Sequence, residues 1–429
     1  DINTTGSLDG NSYHVVIFDQ VASPRLDGFT IRGGNANGSG ETRPGLSQSV
    51  GGGIACVRRC LPRLESLIIE DNFAEIAGGG VFMASTADES GTAGPTMRNV
   101  HIRGNETNGQ GGGIFASSDN NNEGAPPANT SLITGNLVVS GNRATQGGGL
   151  YIEVVRDGTG GGTLINGTIH GNHAETEGGG IYYEMEESAL GGVVVSIEQN
   201  IITGNSAGDS GSSQVGGTAD PEIGVFFTHT LIEGAFEGGA WDNTLGINDG
   251  ANIDGLPFFV DPISDPDIST PTTAGDLRLN WASAAIDRAD ADLLPSDPNE
   301  GGDFLPTDID GNDRVLGSDL DMGAYEGGRA PMNETVFVDA STSPASSDGG
   351  AWSSAYTTLQ DGLRAVRNAR AGAFDQDLDP EALGTIRVAE GIYYPVERRI
   401  ESDDDPGPEY DLFVMPRGTV IEGGFAAGG

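Results

Sequence analysis

Carboxylates dominate the chemistry this sequence could do. Between Asp287 and Glu326 twelve Asp and Glu stand against two Arg, and within that stretch Asp308, Asp310, Asn312 and Asp313 present oxygens around Gly311. That spacing is the one with which calcium loops surround a hard cation, so calcium is the metal this segment would take. The twelve-residue EF-hand pattern is incomplete, because Asp319 occupies the position that should carry Glu. A solvated acidic turn is the alternative. Elsewhere carboxylate pairs are too abundant to mark glycosidase chemistry, in which separation in space decides. Five histidines (His14, His101, His170, His173, His229) fall at differing places relative to the repeats described below, so they form no row and are expected at the surface. Cys56 and Cys60 are the only cysteines. In a strand their Cα atoms would lie about 13 Å apart, beyond bridging range, so an oxidised pair needs a bend at Val57-Arg58-Arg59. The oxidised pair is favoured over two free thiols, and zinc is poorly supported without a second pair or a nearby His. Asn-x-Ser/Thr sequons occur at Asn3, Asn37, Asn105, Asn129, Asn166 and Asn333, which is compatible with glycosylation and also with chance in a chain this rich in Asn, Ser and Thr.

The elements that must position these groups are repeats. A Gly-Gly-Gly triplet opens at Gly51, Gly78, Gly111, Gly147 and Gly178, each followed by an apolar residue (Ile54, Val81, Ile114, Leu150, Ile181). Each copy closes on an asparagine (Asn72, Asn105, Asn142, Asn172, Asn205) with a β-branched residue three places earlier. The triplets are 27, 33, 36 and 31 residues apart, inside the range of roughly 20–50 that signals stacked repeats. Their apolar runs are short and alternate with period two, which predicts strands. Strands joined by loops at this period can stack coil upon coil in an all-β parallel solenoid, rising about 4.8 Å per rung. In that geometry the asparagines predict a ladder of side-chain amides, or left-handed residues at a sharp corner. The triplets predict a corner where crowding or positive φ excludes a Cβ atom. No Lys follows any triplet, which excludes a phosphate-cradling loop. A looser rung is expected before the first triplet, around Val15-Val16-Ile17.

Composition agrees. Of 429 residues, 70 are glycine, which argues against helices. The net charge is -42, and all 21 basic residues are arginine. Nucleic acid is excluded as a partner, because phosphate binding rests on clustered Lys and Arg. An acidic, lysine-free surface resembles that of halophile proteins, in which salt screens self-repulsion. No signal peptide, sorting tail or membrane span is visible, so the chain reads as a mature protein or a piece of one.

Three segments are expected: a shaft at 1–250, an acidic closing region and linker at 251–334, and a strand-helix-strand segment at 335–429. In the last, Thr335 to Ala340 reads as a strand and Thr358 with Asp361 as a helix cap, with Leu359, Leu363 and Val366 on one helix face. Strands are expected at 386–388, 392–394, 412–415 and 420–421. The longest outward loops are 116–130 and 206–224.

The Gly-Gly-Gly-Ile and terminal Asn pattern resembles the repeats of polymorphic outer membrane proteins. It is more similar still to the right-handed parallel β-helix proteins called choice-of-anchor Q proteins. The segments Leu256 to Pro262, Asp276 to Leu279, Ser283 to Asp287, Thr307 to Asn312 and Asp321 to Glu326 resemble that family's closing signature, in order. The resemblance implies a right-handed parallel β-helix and an extracellular or cell-surface setting. By the same resemblance, residues 335–429, with Gly-Ile-Tyr-Tyr-Pro and Ile-Glu-Gly-Gly-Phe, look like the start of a second β-helix. An ending followed by a beginning implies copies or modules joined head to tail in a filament or tandem array.

Enzymes are the rival, since parallel β-helices include pectate lyases and polygalacturonases. This chain lacks the lysine many such lyases use, and the Gly-His-Gly and Arg-Ile-Lys signatures of polygalacturonases. A polysaccharide-binding adhesin is the second reading, with Phe82, Phe115, Tyr151 and Tyr182 as candidate platforms. The expectation is therefore a structural protein without catalytic residues or a required cofactor, its main partner being itself.

Overall fold

The computed structural model describes residues 10–86, 92–119, 129–155, 158–186, 194–208, 213–218, 224–237, 239–280, 283–294, 305–315, 319–327, 335–341, 350–359, 361–363, 365–366, 385–391, 393, 398–399, 410–411 and 420–426. The chain is a β-solenoid of about eight turns. Its first sheet stacks seven strands, Val16–Asp19, Ile54–Val57, Val81–Thr86, Ile114–Asp119, Leu150–Val155, Ile181–Met185 and Val215–Thr218, in chain order and all parallel. Register is exact at the residue after each triplet: Val16, Ile54, Val81, Ile114, Leu150, Ile181 and Val215 are partners from rung to rung. A rung does precede the first triplet. A 14-stranded second sheet and a six-stranded third sheet complete each turn.

The interior is a column of aliphatic side chains. Ile54, Val81, Ile114, Leu150 and Ile181 from the first sheet meet Leu64, Met97, Leu164 and Ile197 from the second, all essentially inaccessible to water. Alternation along each strand puts every second side chain inside, which is why short runs of period two suffice.

The glycine triplets carry both properties expected of them, divided among the three positions. The first glycine has φ of 62–68° in every copy. A Cβ on the second would meet a backbone oxygen at 2.2–2.5 Å, and on the third at 2.5–2.6 Å. Four successive N–H groups per rung (Gly51, Gly52, Gly53, Ile54) all donate to the next rung, to Ala77, Gly78, Gly79 and Gly80. In an ordinary strand successive N–H groups alternate in direction, so here the peptide dipoles add along the solenoid axis.

The left-handed corner lies one residue earlier than the asparagine. Asp71, Gly104, Gly141, Gly171 and Gly204 have positive φ, and the asparagine after each does not.

The described residues of the acidic closing region pack along one flank of the solenoid. Phe259, Leu277, Leu279, Leu320, Met322 and Ala324 form a second core with Val138, Ile201 and Leu231, which point outward from the second sheet. This plate holds a helix the sequence did not suggest, Pro266–Ser269. Beyond it, Thr335–Val338, Thr385–Ala389 and Val420–Phe425 form a parallel three-stranded sheet. Residues 359, 361–363 and 365–366 are helical. Asp361 N–H donates to Thr358 Oγ1 at 3.1 Å, and the Thr358 hydroxyl donates to Asp361 Oδ2 at 2.6 Å. Leu363 and Val366 are buried and Leu359 packs against them. Strands expected at 392–394 and 412–415 fall wholly or mostly outside the described residues.

Candidate functional site

The asparagines form a continuous ladder. Each Nδ2 donates to the Oδ1 of the asparagine in the next rung: Asn72 to Asn105 at 2.9 Å, Asn105 to Asn142 at 3.0 Å, Asn142 to Asn172 and Asn172 to Asn205 at 2.9 Å. The same oxygen takes the backbone N–H of the asparagine below, and the second Nδ2 proton goes to a backbone carbonyl. All five side chains are buried, so every amide is satisfied where an orphan would cost about 1–3 kcal/mol. The next rung supplies no asparagine: Ala235 stands three residues after Ile232, the partner of Ile202. Gln214 replaces the asparagine from the other side of the coil, its Oε1 taking Asn205 Nδ2 at 2.8 Å. Gln214 occupies the third-glycine position. At that position in the preceding rung a Cβ on Gly180 would come within 2.9 Å of Asn205 Nδ2. The sequence reading missed this cap; the signal was a triplet whose last glycine had become an amide.

Cys56 and Cys60 are joined by a disulfide inside the core, their Cα atoms 5.8 Å apart. Arg58 and Arg59 both have φ of 56° and supply the bend.

Phe82, Phe115, Tyr151 and Tyr182 stack ring on ring along the outer face of the first sheet, with centroids 5.1–5.4 Å apart and planes within 20°. Their faces are turned to one another, which leaves those of the middle rings closed to a sugar. The Tyr151 hydroxyl donates to Glu184 at 2.6 Å, and the Ser117 hydroxyl donates to Glu153.

In the proposed calcium segment the Asp308 carboxylate is taken by the protein. Asn312 N–H reaches Oδ1 at 2.8 Å, while Asn312 Nδ2 and Glu326 N–H reach Oδ2 at 3.0 Å. Thr307 and Asp313 form an antiparallel bridge across this turn. Asp310 is exposed, and partial desolvation with the neighbouring Asp308 raises its pKa. Among the described residues no group of three or more His, Cys, Asp or Glu is placed to hold a metal ion.

Asp308 belongs instead to a buried polar knot. Arg314 donates to Gly323 O at 2.7 Å and pairs with Glu326 at 3.4 Å. Asp321 accepts from Asp287 N–H and Gly327 N–H at 2.7 and 2.6 Å, and Asp321 N–H donates to Glu326. Burial pushes the Asp321 and Glu326 carboxyls up, and the charge of Asp287 adds to it at Asp321 and that of Asp321 at Glu326. The two acids facing one arginine therefore hold a proton at neutral pH.

The histidines are not surface residues: His14, His170 and His173 are buried and His101 and His229 are half-buried. His170 lies between shaft and plate, its Nδ1 donating to Thr203 O at 2.8 Å and its Nε2 accepting from Ile263 N–H at 3.1 Å. Burial lowers its pKa to about 4. Two sequons are closed, since Asn105 and Asn166 are fully buried. Asn37 is exposed, Asn129 is half-buried, and Asn3 and Asn333 lie outside the described residues.

The two ends of the shaft differ. At the far end Val225 and Phe227 are covered by an antiparallel hairpin, Phe236–Glu237 with Ala240–Trp241. The Trp241 ring lies 5.8 Å from Phe227, its Nε1 donates to Gly246 O at 2.9 Å, and Leu245 is buried beside it. At the near end Asn11 Nδ2 donates to Gly33 O at 2.8 Å and Ser12 O accepts from Asn35 N–H at 2.9 Å below the first rung, while among the described residues no strand pairs beneath Val16–Asp19. Phe29 occupies the column of Leu67, Val100 and Leu137. Those three are at most 1% exposed, and Phe29 is 56% exposed. Compared with known protein families, with curated proteins and with solved structures, the chain matches none.

Proposed function

We propose that this chain is an extracellular structural protein, a β-helix rod that works by stacking end to end in a surface filament or tandem array. The observation that carries this reading is the inequality of its ends among the described residues: Trp241 and Leu245 pack over one, while at the other Val16 and Phe18 are only partly buried and Phe29 is exposed. A solenoid end is an unpaired edge that has to be capped or paired. A contact between unlike ends does not close on itself and so grows into a fibre. The resemblance to choice-of-anchor Q proteins supports the surface setting, as does the Cys56–Cys60 disulfide, which belongs to an oxidising compartment. The acidic surface with arginine as its only fixed cation supports a salt-rich one.

Electron microscopy of the purified protein tests the reading. Rods that lengthen in whole-subunit steps are expected; single rods of one length at every salt and calcium concentration would contradict it.

A further inference from the structure

Resting on that end-to-end reading, we propose the interface itself: the free edge of Val420–Phe425 pairs with the free edge of Val16–Asp19 of a second copy, with Ile421 against Val16 and Gly423 against Phe18. Val420–Phe425 is hydrogen-bonded to Thr385–Ala389 and, among the described residues, to nothing on its other side. Among the described residues Val16–Asp19 pairs only with Ile54–Val57. Both sheets are parallel, so the two free edges are complementary in sense, and joining them continues one sheet from copy to copy.

Side-chain alternation fixes the register. Ile421 is partner to the buried Ile386, and Gly423 to the buried Val388, so these two positions face the core of their sheet. Val16 and Phe18 are partners to Ile54 and Cys56 and face the shaft interior. Ile421 is 37% exposed, as expected of a core position with no rung over it. Gly423 has nothing within 4 Å of where its Cβ would be, which leaves room for the Phe18 ring. The neighbouring edge strand Ala22–Asp27 is a poorer template: it contains Pro24, which has no N–H, and a register shift at the positive-φ Ser23.

Charge favours the same pairing. Residues 1–103 carry eight arginines against eleven acids, whereas the rest of the chain carries thirteen against fifty-two. Arg25, Arg32 and Arg43 are more than half exposed at the first rungs. The nearly neutral end of one copy is thus the one surface an acidic copy approaches with least repulsion.

In this register Ile17 and Glu422 face outward as neighbours, about 4.8 Å apart at the strand spacing, within reach of a disulfide. The test mixes an Ile17→Cys variant with a Glu422→Cys variant under mild oxidation and reads covalent dimers on a non-reducing gel. A second mixture, Ile17→Cys with Val260→Cys, sets the background. Dimers at least tenfold over that background are expected, and abolition of them by Phe29→Asp, at an exposed first-rung position, in protein whose melting temperature matches the wild type. Rods that lengthen in the microscope without this cross-link would overturn the interface and leave the end-to-end reading standing. Protein that neither lengthens nor cross-links would overturn both, and capture of the first-rung face by an acidic polysaccharide in place of a second copy would overturn the interface.

Discussion

At the scale of single residues the stability of this rod rests on amides that have no room to be wrong. Asn142 both receives from Asn105 and gives to Asn172, so removing its side chain orphans partners on two rungs. Asn142→Ala is expected to cost about 2–4 kcal/mol, the range for breaking a buried hydrogen-bond network; chemical denaturation measures it. Asn37→Ala, at an exposed position, is expected to change little. Two buried groups give stability a pH dependence of opposite sign. His170 is neutral in the fold with its pKa lowered to about 4 against an ordinary 6.5, so between these values the unfolded chain binds the extra proton and stability falls as pH falls. Glu326 is raised by burial, so the fold holds the extra proton and stability falls as pH rises through and beyond neutrality. Asp321, Asp308 and Arg314 face Glu326 and set the size of its effect. Melting temperature is therefore expected to decline on the alkaline side, and Glu326→Gln to flatten that limb while leaving the acid limb in place.

At the scale of elements the division of labour within the glycine triplet makes separable predictions. Gly112→Ala places a Cβ 2.5 Å from both Arg143 O and Gly148 O, neither of which can move without breaking a rung. It is expected to cost more than about 3 kcal/mol or to prevent folding. Gly45→Ala meets nothing within 4 Å and suffers only its φ of 78°, which costs about 1–2 kcal/mol; thermal melts of the two variants compare crowding with φ directly. Much of this was legible in the sequence, because stacking repeats the same constraint at Gly51, Gly78, Gly111, Gly147 and Gly178 and repetition makes a constraint visible. The asparagine ladder and the Cys56–Cys60 bend were readable for the same local reasons. What occurs once was not readable. Gln214 completes the ladder from a different strand, and the Trp241 hairpin seals an end through contacts distant in the chain. The plate lies on the flank because Val138, Ile201 and Leu231 point outward, which no spacing within residues 256–327 records.

At the scale of the whole molecule the rod has a direction. The N–H groups of the first four triplets and the Nδ2 atoms of Asn72, Asn105, Asn142 and Asn172 point toward the sealed end, leaving carbonyl ends toward the first rung. Arginines crowd that first-rung end and acids the remainder, the arrangement an axial dipole of this sense favours. Fold, dipole, charge and uncovered core positions thus agree in distinguishing one end from the other. We propose that assembly runs through the open end. Light scattering as a function of concentration tests this on the wild type and on Phe29→Asp side by side. A mass that rises with concentration is expected for the wild type, and one that stays at a single subunit for the variant. An equal rise in both, or a constant mass for the wild type, would contradict it.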